Sequence, residues 1–129
     1  KVTLFKAHKD GFKDGEQLRD FVYVVDVVKA MIEMWQLDAQ DKNGIYNMGT
    51  GSERSFKDLV LATFKAMETE ASIEYIDMPI SIRHQYQYFT KANMDKFSKL
   101  LPSFKFSTLE QAVSDYILSY LNKGCSYSD

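Results

Sequence analysis

Gly49 and Gly51 lie in the stretch of this sequence that comes nearest to a motif with known chemistry. They follow the short apolar run of residues 45–48 and come just before a predicted amphipathic helix. A dinucleotide-binding loop has the same order, because its glycines let the backbone approach a pyrophosphate at the start of a helix. Glu74 and Asp77 follow in the next predicted strand, roughly where such a loop has its ribose-binding carboxylate. The chemistry to test first is therefore the binding of a nucleotide cofactor.

The third glycine of that motif is missing, because its position holds Arg54. An arginine side chain there prevents the close packing of helix on strand that a glycine permits. The two glycines also relieve steric strain in any tight turn, and Ser55 is a favourable N-cap for the helix that follows. The residues alone therefore favour a strand-to-helix turn over a cofactor loop.

Catalytic groups are not arranged in any of the familiar local patterns. A short-chain dehydrogenase needs Tyr-x-x-x-Lys, and none of the eight tyrosines has a lysine four residues later. Nucleophiles of the Ser/His/Asp or Cys/His type have no local signature either. The two histidines, His8 and His84, lack the spacing of metal ligands. We therefore predict no catalytic residue, no cofactor-binding residue and no metal site in this chain.

Two arginines are better candidates for binding a ligand. Arg19 opens a predicted strand after a glycine-rich loop, and its guanidinium can hold a phosphate through two parallel hydrogen bonds. Pairing with Asp20 or Glu16 is the alternative for Arg19, and the residues alone favour that alternative. Arg83 lies among aromatic residues in the segment 80–90, which suits either a nucleotide site or an ordinary loop packed over the core.

Composition places the chain among ordinary globular proteins. Its 129 residues, 45% of them hydrophobic, are enough for one domain with a core. A net charge of −2 gives no basic footprint for a nucleic acid or an anionic membrane. No apolar run is long enough to span a bilayer, and the single Cys125 suits a reducing, cytoplasmic compartment.

Strands and helices alternate in the predicted secondary structure. Apolar and β-branched runs predict a short extended segment at residues 2–5 and strands at residues 19–25, 44–49 and 72–78. Helical spacing and capping residues predict four helices, whose capping residues are Asp26, Ser55, Thr90 and Ser107. Such a small α/β set leaves strand edges unpaired and helix faces uncovered, which predicts that it is part of a larger domain.

Three runs of residues carry a family resemblance over essentially the whole chain. They are RDFVYVVDVVKAM at 19–31, GIYNMGTG at 44–51, and IEYIDMPISIRHQYQYFTKANMDKF at 73–97. The first two resemble the C-terminal part of the extended short-chain dehydrogenase/reductases, the nucleotide-sugar epimerases and dehydratases. The third is similar to the branch of that family whose substrate is an ADP-linked heptose.

The resemblance implies an α/β fold in which the main Rossmann domain lies outside this chain. Residues 1–129 would form the C-terminal substrate-binding region and include a late strand and helix of the NAD(P)-binding fold, with residues 26–51 packed on the Rossmann domain. NADP would be held mainly by that N-terminal domain, and the complete enzyme would be a cytoplasmic homo-oligomer. It would epimerise C6 of ADP-heptose by transient oxidation, for lipopolysaccharide core biosynthesis, and this region alone would be inactive.

Seven residues would contact the substrate if the resemblance holds. Arg19 matches an arginine that contacts the ADP phosphates, and Tyr86 matches a substrate-contacting tyrosine. Arg83 lies where related epimerases carry a second phosphate-binding arginine. The loop residues that would line the nucleotide site are Phe5, Lys6, Ala7 and His8.

Two other functions remain open from the sequence. One is the same region of another nucleotide-sugar epimerase or dehydratase, such as an enzyme like UDP-glucose 4-epimerase. The other is a non-catalytic module that binds nucleotide sugars and has no cofactor domain.

Overall fold

The computed structural model describes residues 1–37 and 43–124. Four short strands are present: β1 (Val2–Phe5), β2 (Leu18–Arg19), β3 (Arg54–Ser55) and β4 (Ile73–Ile76). Five α-helices accompany them: α1 (Val24–Gln36), α2 (Phe56–Ala66), α3 (Ile80–Arg83), α4 (Asp95–Leu100) and α5 (Leu109–Ser119). A 3₁₀ turn, Leu121–Lys123, follows α5. The predicted α/β class is confirmed.

The strands form two separate two-stranded sheets. β1 pairs with β4 in parallel, with Val2 opposite Ile73 and Phe5 opposite Ile76. β2 pairs with β3 in the antiparallel sense, with Arg19 opposite Arg54. Parallel strands end at the same edge of a sheet, so the loop after β1 and the residues after β4 lie close together.

The helices α2 and α5 pack against each other and carry most of the helix-to-helix contact. Both begin with a capping box, Ser55 with Asp58 in α2 and Thr108 with Gln111 in α5. Arg54 joins their N-terminal ends, because its guanidinium donates to Glu110 Oε1 at 2.7 Å and Oε2 at 3.3 Å.

A small buried cluster lies under α1 and α4. Ala30, Phe97 and Leu101 form its buried centre. The rings of Phe104 and Phe106 pack on Phe97 at centroid distances of 5.6 and 5.5 Å. This cluster fixes the segment that follows α4, where Pro102 ends the helical pattern as predicted.

The predicted strand 19–25 and the Asp26 helix cap are wrong. The strand is only Leu18–Arg19, and α1 begins at Val24, so Asp26 lies in its first turn. The reason is long-range: Asp26 is buried, and its Oδ2 accepts a hydrogen bond from the Ser107 N–H at 2.7 Å. Its carboxylate therefore holds the chain before α5 instead of capping α1.

Two further predictions of secondary structure need correction. Residues 44–49 form no strand, because no other strand among the described residues pairs with them. Thr90 does not start a helix: its N–H donates to the carbonyl of Leu18 at 3.2 Å, and α4 begins only at Asp95. The cap of α5 lies one residue later than predicted, at Thr108.

Candidate functional site

Arg19 lies at the centre of the candidate site, held between two aromatic rings. Its Cζ lies 5.3 Å from the ring centroid of Tyr86 and 5.6 Å from that of Phe56. Its Nη1 donates to the carbonyl of Leu18 at 2.8 Å. A planar guanidinium stacks on aromatic faces in this way and keeps its remaining N–H groups available.

The alternative of an ion pair for Arg19 is not what the structure shows. The carboxylate of Asp20 accepts hydrogen bonds from Thr50, Gly51 and Ala92 instead. Glu16 Oε1 lies 3.9 Å from Lys57 Nζ. Both of the predicted partners of Arg19 therefore engage other groups.

Phe5 and Tyr86 extend the aromatic surface around Arg19. Their rings meet edge to face at a centroid distance of 6.2 Å, and Tyr86 meets Tyr88 edge to face at 5.5 Å. A cavity of about 190 Å³ lies beside them, lined by Thr3, Leu4, Phe5, Gln17, Phe56 and Tyr86. Three predicted site residues, Phe5, Arg19 and Tyr86, are thus contiguous.

The loop after β1 places Lys6, Ala7 and His8 at the carboxyl end of the parallel pair. The Ala7 N–H donates to Asp14 Oδ1 at 2.8 Å, and the His8 N–H donates to the Tyr88 hydroxyl at 2.9 Å. Lys6 Nζ and His8 Nε2 lie 3.6 and 3.8 Å from Asp77 Oδ1. The loop is therefore held through its backbone, and its two basic side chains are close to one acidic group.

Gln17 belongs to the site, although no pattern in the sequence singled it out. It is 1% exposed, and its Nε2 lies within hydrogen-bond distance of the carbonyls of Phe5 (3.3 Å) and Lys6 (3.5 Å). Its buried side chain thus holds the backbone at the start of the candidate loop, at Phe5 and Lys6. In the sequence it is one polar residue of a polar, turn-rich segment, so its burial could not be predicted there.

Arg83 is not joined to this cluster by any of its described contacts. Its Nη2 donates to the carbonyl of Met78 at 2.7 Å, within the turn that forms α3. Its Nε is buried and has no hydrogen-bond partner among the described residues. The structure therefore gives Arg83 a place beside β4 and α3, separate from the ring stack of Arg19.

The Gly-Thr-Gly turn (Gly49–Gly51) holds a carboxylate of the chain itself. Asp20 Oδ1 accepts from the Thr50 N–H at 2.8 Å and from the Thr50 hydroxyl at 2.5 Å. Asp20 Oδ2 accepts from the N–H groups of Gly51 at 2.9 Å and Ala92 at 3.0 Å. Gly51 has φ of 68°, the left-handed conformation that favours glycine.

These hydrogen bonds outweigh the effect of burial on Asp20. Burial acts first and would raise the pKa of the carboxyl group, because it disfavours the charged form. The hydrogen bonds from Thr50, Ala92 and Gly51 act together in the opposite direction and hold the pKa of Asp20 below its usual value. Asp20 is thus an anion at neutral pH, and the turn amides that a cofactor phosphate would need are already engaged.

A larger cavity, of about 430 Å³, lies away from the predicted residues. Its lining includes Arg54, Glu110 and the ring of Phe97, near the start of α5. None of the seven predicted substrate residues lines it. The chemistry favours the smaller cavity, because its lining includes Phe56 and Tyr86, whose rings lie near the guanidinium of Arg19.

Comparison with known proteins bears directly on the predicted family. The model of the NAD dependent epimerase/dehydratase family matches residues 2–49. An ADP-L-glycero-D-manno-heptose-6-epimerase of Fusobacterium nucleatum is 46% identical over 98% of this chain. A protein of the same name from Nitratidesulfovibrio vulgaris is 45% identical over 93% of it. The predicted resemblance to the nucleotide-sugar epimerases is confirmed.

The two curated epimerases are longer than this chain. It spans 39% of the length of the Fusobacterium protein and 36% of the Nitratidesulfovibrio protein. The Helicobacter pylori ADP-L-glycero-D-manno-heptose-6-epimerase structure matches with a TM-score of 0.67 and 27% identity, over 90% of this chain and 31% of that one.

A second solved structure agrees in fold. The UDP-N-acetylglucosamine 4-epimerase of Methanobrevibacter ruminantium has a TM-score of 0.69 at 21% identity, over 95% of this chain and 35% of that one. The epimerase fold is therefore the fold of this chain.

The described residues offer neither a metal site nor a membrane span. Residues 1–37 and 43–124 contain no group of three His, Cys, Asp or Glu side chains placed to hold a metal ion. No helix in those ranges is both long and apolar enough to cross a membrane.

Proposed function

We propose that this chain is the substrate-binding region of an NADP-dependent epimerase that interconverts ADP-D-glycero-D-manno-heptose and ADP-L-glycero-D-manno-heptose at C6. The observation that carries the proposal is the Arg19 cluster, an available guanidinium in cation–π contact with the rings of Tyr86 and Phe56. The names of the Fusobacterium and Nitratidesulfovibrio relatives support the choice of substrate. The role proposed for the complete enzyme is the supply of heptose for the lipopolysaccharide core.

Arg19 binds the pyrophosphate of the nucleotide sugar in this proposal. Its guanidinium has five N–H donors, and only one hydrogen bond, from Nη1 to Leu18, is described for it. The two nearby rings and the hydrogen bond to Leu18 restrict the guanidinium, so less rotational freedom is lost when an anion binds. Two parallel hydrogen bonds to phosphate oxygens then give both affinity and orientation.

The loop from Phe5 to His8 and the side chain of Tyr86 line the rest of the nucleotide site. Phe5 and Tyr86 supply flat apolar surface for a base or ribose, next to the cavity described above. Lys6 and His8 place basic groups at the carboxyl end of the parallel strands, where ligands bind in open α/β sheets. Arg83 belongs to the proposal as a second phosphate contact, supported only by its unpaired buried Nε.

The described residues do not fit a dinucleotide, so the cofactor is assigned to a domain outside this sequence. Asp20 occupies the amides of the Gly-Thr-Gly turn, and no tyrosine has a lysine four residues later. The hydride chemistry is that of the bound nicotinamide. This region contributes binding and orientation of the sugar nucleotide, and we expect no turnover from it alone.

In our proposal the surface that packs on that cofactor domain lies in residues 26–51, of which 38–42 are outside the described residues. The exposed apolar side chains of α1 include Val28, Met31 and Trp35, which is 80% exposed. Ile45, in the unpaired segment 44–49, is 90% exposed. Apolar surface of this extent suits a covered interface, and a segment that pairs with no strand among the described residues is open to joining a sheet.

The experiment is a substrate comparison with the complete protein that contains this sequence. We expect it to epimerise ADP-heptose in the presence of NADP, with slower or no turnover of UDP- and dTDP-hexoses. Preference for a UDP- or dTDP-hexose would show another epimerase or dehydratase of the family. Binding of sugar nucleotides without turnover of any would favour the non-catalytic module. Size measurement in the same preparation tests the proposed homo-oligomer, and cell fractionation tests the cytoplasmic location.

A further inference from the structure

Asp20 ties together the two segments whose rings hold Arg19. We infer that Asp20 is a positioning residue for substrate binding: its carboxylate fixes the Gly-Thr-Gly turn and the segment 86–92 so that Phe56 and Tyr86 stack on Arg19. This inference rests on the proposed function, because it assigns a role in binding the nucleotide sugar through Arg19.

Each partner of the Asp20 carboxylate leads along the chain to one of the two rings. Thr50 and Gly51 begin the short path to β3, and Phe56 follows β3 directly. Ala92 ends the segment that begins near Tyr86. The Asp20 carboxylate therefore links the two segments that carry Phe56 and Tyr86, the rings next to Arg19.

Backbone pairing makes the link to the segment 86–92 a rigid one. The Leu18 N–H donates to the carbonyl of Tyr88 at 2.9 Å, and the Thr90 N–H donates to the carbonyl of Leu18 at 3.2 Å. The hydrogen bond from the Ala92 N–H to Asp20 continues this pairing by one further step, with a side chain as the acceptor. Loss of that acceptor leaves the pairing without its last bond.

The Gly-Thr-Gly turn is in close contact with Asp20 and with the segment 86–92. A Cβ added to Gly49 would lie 2.7 Å from both the Cβ of Ala92 and Oδ2 of Asp20. Segment 86–92, the turn and Asp20 therefore meet at van der Waals contact, and a change in one of them moves the others.

Only a carboxylate suits the four donors that converge on this position. Asparagine has the same shape, but its NH₂ group cannot accept a hydrogen bond, so in either orientation of the amide at least one of the backbone N–H groups of Thr50, Gly51 and Ala92 loses its acceptor and faces another donor. Asp20→Asn is therefore a substitution that keeps volume and removes acceptors.

The test uses the complete enzyme with Asp20→Asn, compared with Asp26→Asn. Asp26 is a buried carboxylate that, like Asp20, accepts a backbone N–H, in its case from Ser107, but it has no described contact with the Arg19 cluster. We expect Asp20→Asn to raise the KM for ADP-heptose by about tenfold or more while kcat changes by less than about threefold. Asp26→Asn should lower the melting temperature and leave KM within about twofold of the original value.

Hydrogen exchange gives a readout that does not depend on turnover. We expect faster exchange at the amides of Gly51, Thr90 and Ala92 in Asp20→Asn, whereas Asp26→Asn should affect Ser107. If Asp20→Asn fails to fold, Thr50→Val is the second variant, because it keeps the Asp20 carboxylate and removes the hydroxyl that donates to it, together with the acceptor of the Ser52 N–H. It should give the same pattern with a smaller rise in KM, and Thr50→Ser should be close to the original protein.

The outcomes separate this inference from the proposed function. Unchanged amide exchange in both Asp20→Asn and Thr50→Val would overturn the inference, whatever the substrate is. Faster exchange with an unchanged KM would overturn it as well, because the role would then be structural only. Failure of the unmodified enzyme to bind any ADP-sugar would refute the proposed function and, with it, the binding role inferred for Asp20.

Discussion

Arg19 can be recognised from the sequence as a candidate phosphate-binding residue, but the sequence does not show what surrounds it. The planar guanidinium after a glycine-rich loop suits a phosphate ligand, but the neighbouring acids make an ion pair the interpretation that the residues alone favour. The structure favours the phosphate because Asp20 and Glu16 engage other groups. The two rings that hold the guanidinium lie far along the chain, so sequence spacing could not reveal them.

Replacing Arg19 with lysine tests the bidentate contact directly. Lysine keeps the charge but loses the planar stack on Tyr86 and the second hydrogen bond to phosphate. We expect the Michaelis constant for ADP-heptose to rise by about tenfold or more in the complete enzyme, with NADP affinity unchanged. Steady-state kinetics and NADP titration measure the two quantities. Arg54→Lys is the control, and an unchanged substrate constant in Arg19→Lys would refute the assignment.

At the scale of the element, the sequence predicts the start of a helix correctly where the capping residues are neighbours in the chain. The capping box of α2, Ser55 with Asp58, is the one that the sequence predicts. In α5 both Ser107 and Thr108 can act as the cap, and Glu110 or Gln111 can complete the box. The choice of Thr108 is made by a distant residue, because Asp26 accepts the N–H of Ser107.

Removing the hydroxyl of Ser55 should destabilise the protein measurably. The Asp58 N–H donates to Ser55 Oγ at 2.9 Å, and Ser55 is 6% exposed, so water cannot easily replace the lost acceptor. We expect Ser55→Ala to lower the free energy of unfolding by about 0.5–2 kcal/mol. Urea denaturation measures the change, with the exposed Ser98→Ala as the control. Equal midpoints for the two variants would contradict the role of the cap.

Acid should weaken the same helix start through Asp58. Burial acts first and would raise its pKa, but hydrogen bonds from Ser55 and Arg54 and the charge of Arg54 prevail and lower it. A group whose pKa is lower in the folded state stabilises the protein above its unfolded pKa, about 4, and loses that effect as the pH falls through the folded pKa. The unfolding free energy should therefore fall more steeply between about pH 5 and pH 2 than it does in Asp58→Asn. Parallel slopes in chemical denaturation at several pH values would count against this.

The strand predictions failed where an element depends on a partner. Val2–Phe5 and Ile73–Ile76 form strands because they pair with each other. Residues 44–49 have the same apolar character, but no strand among the described residues pairs with them. The β-branched run after Arg19 enters α1, whose apolar residues also recur at helical spacing. Pairing is a long-range property, and a short apolar run does not contain it.

At the scale of the whole molecule, the exposed side of α1 is the feature that most needs a partner. Trp35 is the only tryptophan of the chain and is 80% exposed, which makes it a natural probe of that side. If the cofactor domain packs on residues 26–51, Trp35 should be shielded from acrylamide in the complete protein. Fluorescence quenching measures this, with Trp35→Phe to show that the signal belongs to this residue. Quenching as efficient as that of free tryptophan would contradict the proposed packing.

The sequence predicts the class of fold and most of the candidate site, but it does not predict how the site is held. Phe5, Arg19 and Tyr86 come together as the family resemblance implies, whereas Gln17 and Asp20 support them through contacts that no spacing rule indicates. Both supporting residues act on backbone groups of other segments. Their roles therefore depend on the assembled fold.

The Gly-Thr-Gly turn illustrates what a covalently attached ligand does to an anion site. Because Asp20 belongs to the same chain, its carboxylate faces the turn at an effective concentration set by the fold, whereas a free phosphate must arrive from dilute solution. A nucleotide in the surrounding solution must therefore compete with the Asp20 carboxylate, which cannot dissociate from the protein. Small molecules therefore do not displace Asp20 from the Gly-Thr-Gly turn. The turn serves instead as a permanent link between Asp20 and the segment 86–92.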